Sequence, residues 1–519
     1  MIKMDGKNLT LADVVAVSRE GAKVILSPSA RKRMELSQSW LQQIIDEGKP
    51  VYGINTGFGV FSEQSISTKD STDLSRKLIL SHAMGTGSAL STEVVRAAML
   101  IRANTLSGGY SGVRPLIVET LLEMLNSWIT PFVPSQGSLG SSGDLAPLSH
   151  LALVFTTDYA DREEDSGQAD FGREQTTRLS GKAAMNMAGI PRLVLGPKEG
   201  LALSNGATFS AALGALAVCD SASLLDTADI SLAMTLEALL GVSSAFDSRL
   251  HTARGHPGQI TVADNVRRLT SGSTLLDSRR RIQDAYSLRC APQVHGAARD
   301  TLVHIQDIIQ REINAATDNP LIFGPRDVIS GGNFHGEPVG LASDYLSIAL
   351  SEIAAISERR IFRLTDGNLN ANLPPMLVDS DQAAGLNSGL MMAQYTAASL
   401  VLENQNLASP DSVFSLPTSG EQEDHNANSM TAARHTRMII ENLTHILAIE
   451  IYCAARALDL RLRQMPGHKL GKGVSAAHKL IRKHVPYKSG DILWSSEIQV
   501  VHNLLREDHF RSAVWNAID

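Results

Sequence analysis

Across its 519 residues the chain is 43% hydrophobic and 19% charged, ordinary proportions for a globular protein with room for a large core. A formal net charge of -7, with Lys/Arg runs only at Arg31-Lys32-Arg33 and Arg279-Arg280-Arg281, excludes a chain-wide attraction to nucleic acid. The scattered cysteines Cys219, Cys290 and Cys453 are too few for a disulfide framework or a zinc site, which fits a reducing cytoplasm.

Met1-Ile2-Lys3-Met4-Asp5-Gly6-Lys7 is charged and leads into no apolar segment, so no secretory signal is expected. Up to about Ser37, short apolar runs such as Val24-Ile25-Leu26 alternate with turns. Then comes Tyr52-Gly53-Ile54-Asn55-Thr56-Gly57-Phe58-Gly59, with three glycines in eight positions. That density predicts a loop of special geometry, the kind of element on which a scaffold carries chemistry. A helix is predicted to end through Leu78-Ile79-Leu80-Ser81-His82-Ala83-Met84-Gly85, with His82 a candidate C-terminal cap, and to resume at about Thr92.

Gly137-Ser138-Leu139-Gly140-Ser141-Ser142-Gly143 predicts a sharp bend running into a helix, with Asp144 as N-cap and Pro147 in the first turn. Leu145, Leu148, Leu151 and Leu153 continue that helix, whose positive end faces the turn and favours negative charge there. Tyr159 to Gln175, rich in charge and turn residues, is predicted to be a surface loop or hairpin and is the best candidate for disorder.

From Gly200 onward the composition shifts to long Ala/Leu/Ile/Ser runs. Gly200 to Cys219 is uncharged but interrupted by Ser204, Asn205, Gly206, Thr208 and Ser210, which predicts entry into a buried helix and not a membrane span. Within Asp344 to Arg363, Leu346, Leu350, Ile353 and Ile361 recur at helical spacing, with Ala349, Ala354 and Ala355 between them. Small residues around the circumference predict packing on several sides, as in a bundle. Leu386 to Leu407 and Ala427 to Leu460 read the same way, with breaks at Asp366-Gly367-Asn368 and Leu373-Pro374-Pro375. At roughly 150 residues per domain the length allows about three domains, but the pattern divides in two: a smaller mixed N-terminal domain over 1–205 carrying the Ser-Gly turn, and a bundle of long helices with C-terminal helices over 206–519. The predicted fold class is mainly α.

The Ser-Gly segment admits three readings. It is a plain turn, or a serine nucleophile, or a tripeptide that cyclises on itself to make an electrophile. The nucleophile reading lacks the Gly-x-Ser-x-Gly spacing and has only His150 as a nearby base, no lysine lying between Lys77 and Lys182. A helical scaffold without activity leaves Tyr52, Arg289 and Glu423 without a reason.

Gly140-Ser141-Ser142-Gly143-Asp144 resembles the signature of the histidine/phenylalanine/tyrosine ammonia-lyase and aminomutase family. The resemblance extends, in the family's order, to the Tyr52 loop, Ser204-Asn205-Gly206, Gln283-Asp284-Ala285-Tyr286-Ser287-Leu288-Arg289-Cys290, Gly331-Gly332-Asn333-Phe334-His335 and Gln422-Glu423-Asp424-His425, spanning about Tyr52 to Arg461. It implies a fumarase/aspartase-like architecture. It also implies that Ser141-Ser142-Gly143 closes autocatalytically into a methylidene-imidazolone (MIO) ring: the Gly143 nitrogen attacks the Ser141 carbonyl, water leaves, and Ser142 loses its hydroxyl. Ser141 stands where the family usually has Ala; it contributes chiefly its carbonyl, so closure is expected.

Removing ammonia from an amino acid means taking a weakly acidic proton from the β carbon and expelling a poor leaving group, which a base and an electrophile divide between them. Tyr52 resembles the family's base; with a reference pKa of about 10, its phenolate needs stabilising dipoles or cations. By the same resemblance Tyr286 assists the proton transfers, Arg289 holds the substrate carboxylate as a bidentate pair, Asn205 and Gln283 add hydrogen bonds, and Phe334 packs on the substrate ring.

Ser81-His82 matches the family's histidine lyases, where tyrosine lyases have His-Leu and phenylalanine lyases Phe-Leu, and Glu423 matches them again. His82 and Glu423 can each satisfy one imidazole nitrogen, and both would be left unpaired by a phenyl ring. Ala285 in place of the histidine lyases' common Pro, and Asn426-Ala427-Asn428-Ser429, closer to phenylalanine lyases, keep tyrosine and phenylalanine open as substrates. The implied reaction converts L-histidine to trans-urocanate and ammonia, with an aminomutase still open. The resemblance further implies a homotetramer whose sites are built from three chains; no metal, nucleic acid or membrane partner is expected.

Overall fold

The structure, a computed structural model, describes residues 1–48, 51–54, 56–57, 64, 66, 71–174, 176–279 and 281–518. It is mainly helical, as the sequence predicts, and among the described residues no strand exceeds four residues. Contacts divide the chain into two compact units, each assembled from three segments: Met1–Cys219, Gln306–Asp344 and Pro410–Arg434 form the first, and Asp220–Ile305, Tyr345–Ser409 and His435–Asp519 the second.

In the first unit Ile2–Met4 runs parallel to Val24–Leu26, Thr86–Ala89 antiparallel to Pro134–Gln136, and Gln168–Phe171 lies between Ile129–Pro131 and Thr177–Ser180. The last sheet corrects the expectation of disorder between Tyr159 and Gln175. Ala169 and Ser166 are fully buried, and Asp161 accepts from Arg76 Nη2 at 2.7 Å and from Arg192 Nη2 at 3.0 Å. The charged run Arg162-Glu163-Glu164 is exposed and leads into the expected hairpin, but Asp161 beside it is a buried ion-pair anchor that orders the segment. Gln175 itself lies outside the described residues.

The helix Thr92–Ser107 is buried without interruption from Val94 to Ser107, and its two arginines tie distant backbone to it. Arg96 stacks 3.7 Å from the Trp128 ring centroid and donates to the Leu125 and Val17 carbonyls. Arg102 donates to the Ala202 carbonyl at 3.3 Å and to Thr208 Oγ1 at 2.5 Å. Those acceptors bracket the corner Ser204-Asn205-Gly206, where the helix Glu199–Ser204 gives way to the helix Thr208–Ala238. Burial pulls the Arg102 pKa down to about 10, with Asp318 and Asp144 opposing, so it stays a cation at neutral pH. Beneath the same corner Lys198 Nζ donates to Asp318 Oδ2 at 2.5 Å, both side chains fully buried. Breaking the Lys198–Asp318 pair strands a buried charge, typically at about 3–5 kcal/mol.

The second unit is braced by one carboxylate. Glu450, fully buried on the helix Ser429–Gln464, accepts from Arg360 Nε and Nη2 at 2.5 and 2.8 Å, Thr235 Oγ1 at 2.8 Å and Ser357 Oγ at 2.5 Å. His295 Nδ1 and Asp229 Oδ1, 2.8 Å apart, extend the network. The helices Thr208–Ala238, Glu337–Thr365 and Ser429–Gln464 are long and apolar enough to cross a membrane, yet 78%, 67% and 78% of their most apolar windows are buried inside the molecule. Their apolarity serves a core, which is what helices apolar all round do in a bundle.

Candidate active site

The Ser-Gly turn is held by backbone pairing with the Asn205-Gly206 corner. Gly143 and Gly206 form a parallel bridge in which Gly206 N donates to the Ser142 carbonyl at 3.1 Å and Asp144 N to the Gly206 carbonyl at 2.9 Å. The strands approach so closely that a Cβ on Gly143 would fall 2.1 Å from the Gly206 carbonyl carbon, and Gly143 has φ +77°. Only glycine fits there.

The helix Leu145–Phe155 begins where the sequence predicts, but Asp144 does not cap it with its side chain. The carboxylate is fully buried and accepts from Ser210 N at 2.8 Å, Ser210 Oγ at 3.0 Å and Ser138 Oγ at 2.8 Å. Burial raises its pKa against those hydrogen bonds. The residue expected as a cap instead clamps the turn to the helix Thr208–Ala238.

Two cavities of about 640 Å³ each open on this turn and share Tyr52, Ser142, Asn205 and Glu423. One adds Ser141, Phe334 and His335; the other adds Ser81, His82, Leu145 and Leu201. Glu423 accepts from Ser142 Oγ at 2.7 Å and from Ser141 Oγ at 2.8 Å. His150, the base that a serine nucleophile would need, instead accepts from Gly85 N at 3.1 Å. Asn205 is almost fully buried, and its Oδ1 has no hydrogen-bond partner among the described residues. A buried acceptor in that state favours a donor arriving from a ligand.

His82 is the last residue of the helix Ser71–His82, and its Nδ1 lies 3.0 Å from Ser81 Oγ. Burial lowers its pKa, opposed by the Leu78 carbonyl and the Glu423 charge. Tyr52 is held two residues ahead of Ile54, which is locked into an apolar cluster with Leu41, Ile44, Ile45 and Ile322. Asn55, Phe58 and Gly59 of the predicted loop lie outside the described residues.

Of the sequence-predicted site residues, Tyr52, His82, Ser141, Ser142, Asn205, Phe334 and Glu423 line these cavities, and Gly143 closes the turn behind them. Gln283, Tyr286 and Arg289 do not; they belong to the second unit. There Arg289 sits over the Tyr286 ring, 4.5 Å from its centroid, and Gln283 and Tyr286 are exposed. Sequence reasoning missed Asn319, which lines the first cavity, accepts from Gly331 N at 2.7 Å and donates to Ser330 Oγ at 3.1 Å. It fixes the segment leading to Phe334, and the only local signal was an Asx-Pro turn at Asn319-Pro320.

The arrangement fits a cyclised triad. Among the described residues the Gly143 N–H has no hydrogen-bond acceptor, Ser142 faces both cavities, and Gly143 carries no side chain that the bridge to Gly206 would exclude.

The profile of the aromatic amino acid lyase family matches residues 9–483. The chain is 51% identical to a histidine ammonia-lyase of Caldanaerobacter subterraneus subsp. tengcongensis over 93% of this chain and 92% of that one. Among solved structures it resembles a histidine ammonia-lyase from Trypanosoma cruzi, at TM-score 0.90 and 36% identity over 100% and 96% of the two chains. It also resembles a tyrosine aminomutase from Streptomyces globisporus, at TM-score 0.92 and 34% identity over 99% and 98%. The family match and the histidine ammonia-lyase relative define a carbon-nitrogen ammonia-lyase. The chain belongs to the aromatic amino acid lyase family.

Proposed function

We propose that the protein deaminates L-histidine to trans-urocanate and ammonia, using an MIO group made from Ser141, Ser142 and Gly143. The observation that carries the substrate is that His82 and Glu423 line one cavity together with Tyr52 and Ser142. An imidazole in that cavity meets a donor and an acceptor at once, whereas a phenyl ring desolvates both and offers neither a hydrogen bond. The histidine ammonia-lyase from Caldanaerobacter, half identical over most of its length, supports the same choice.

The MIO group supplies an electrophile at the substrate's amine end. Tyr52 takes the β-carbon proton, and the electron pair left behind forms the Cα–Cβ double bond as the C–N bond breaks. Asn205 Oδ1, buried and unpartnered, accepts from the substrate amine. Phe334 packs on the ring, and Glu423 and His82 orient it.

Gln283, Tyr286 and Arg289 complete the site from other copies of the chain in a homotetramer. Their exposed cluster in the second unit supports this, since Arg289 already stacks on Tyr286 and needs only a carboxylate to pair with. In this reading residues 1–205 form the MIO-bearing domain and 206–519 supply the long helices. The three cysteines, in no disulfide, suit a cytoplasmic enzyme.

An aminomutase is the second reading, supported by the likeness to the Streptomyces enzyme; it returns the amine to the β carbon. Incubation with L-histidine, L-tyrosine and L-phenylalanine separately, followed by NMR, tests both. Urocanate with equimolar ammonia is expected. Coumarate or cinnamate as the main product overturns the substrate, and a β-amino acid overturns the lyase.

A further inference from the structure

We propose that Glu441, His445 and His502 bind one divalent transition-metal ion of the Zn²⁺ type, which clamps the helix Trp494–Arg506 to the helix Ser429–Gln464. The three belong to the second unit and line neither cavity of the candidate active site. Glu441 and His445 are four residues apart on one helix, hence on one face. His502 comes from the other helix. Their ligand atoms all lie within 4.8 Å of one another. Glu441 Oε1 is 3.2 Å from His502 Nε2 and 3.6 Å from His445 Nε2.

A second observation points to a ligand. His502 is 2% exposed, and its Nε2, aimed at the Glu441 carboxylate 3.2 Å away, makes no well-aligned hydrogen bond. Its other nitrogen, Nδ1, lies 3.1 Å from Gln499 Nε2 and 3.4 Å from Asn503 Oδ1. Turning the Gln499 and Asn503 side-chain amides sets an oxygen against Nδ1–H and leaves the Nε2 lone pair for a metal, the outer-shell arrangement of metal-bound histidines. Two imidazole rings are packed face to face here, 3.9 Å between centroids.

Two imidazole nitrogens and a carboxylate suit Zn²⁺, Co²⁺ or Ni²⁺ better than Mg²⁺ or Ca²⁺ and leave a fourth position for water. The rings must splay for both lone pairs to converge, which a soft χ2 permits. Arg506, the cation whose charge reaches both Glu441 and His445, is exposed and can swing away. Glu441 is half exposed and gives the ion its entry.

The test uses full-length protein stripped with EDTA and titrated with Zn²⁺ by calorimetry and with Co²⁺ by visible spectroscopy. One equivalent per chain, intense Co²⁺ bands of tetrahedral type and a higher melting midpoint are expected. His445→Ala and the isosteric Glu441→Gln, both at partly exposed positions and checked by circular dichroism, should each weaken Zn²⁺ by about 100-fold, given that even an outer-shell partner is worth about 10–100-fold. His304→Ala, an exposed control elsewhere, should change nothing. Equal Zn²⁺ affinity in the wild type and in folded His445→Ala and Glu441→Gln overturns the proposal, as does failure of the wild type to take up either metal.

Discussion

Glu423 accepts a hydrogen bond from the Ser142 hydroxyl at 2.7 Å, so one carboxylate borders both the triad and the cavity it shares with His82. If that carboxylate also holds an imidazole N–H, Glu423→Gln replaces a charge-assisted bond by a neutral one. A charged bond is worth about 1.5–3 kcal/mol, which is about 10- to 150-fold in kcat/KM. The loss is expected for histidine and not for phenylalanine. An equal loss for both assigns Glu423 to the triad alone.

Ser142→Ala removes the hydroxyl that must leave for the methylidene to form. Turnover is expected to vanish with the fold intact by circular dichroism. Residual turnover above about one part in a thousand would leave the electrophile without a source.

Asp144→Ala deprives Ser210 N, Ser210 Oγ and Ser138 Oγ of their buried acceptor. A loss of about 2–3 kcal/mol in urea unfolding is expected. A smaller fraction of chains should also reach the processed mass, because the clamp that positions the turn is gone.

His82 has a pKa held below 6.5 by burial. As pH falls below 6.5 the unfolded chain takes up a proton there and the folded chain does not, so stability declines toward the folded-state pKa. The contribution is fully present above pH 6.5. His82→Gln should flatten this part of the stability profile between pH 7 and 5, measured as urea midpoints; an unchanged slope would mean that another group causes it.

The long helices were legible because small and apolar residues recur at helical spacing; the predicted Asp344 to Arg363 lies inside the helix Glu337–Thr365. Asp144 marks the limit of such reading. Its position before the helix was right, but a local pattern cannot reveal that Ser210, sixty-six residues on, captures the carboxylate. Lys198, Asp318 and Arg102 are likewise isolated charges in sequence and acquire meaning only as buried partners. Tyr159 to Gln175 reads as a hairpin correctly, but composition could not show that the single carboxylate of Asp161 is a buried anchor that orders it. Gln283, Tyr286 and Arg289 were legible as a motif, yet in this chain they line neither cavity; the proposed homotetramer is what gives them a place.

Intact mass of a preparation that is turning over histidine tests the central claim most directly. The account requires a mass below that of the unmodified 519-residue chain by two waters, with the deficit mapped to the peptide containing Ser141-Ser142-Gly143. Full turnover by protein of unmodified mass would contradict it.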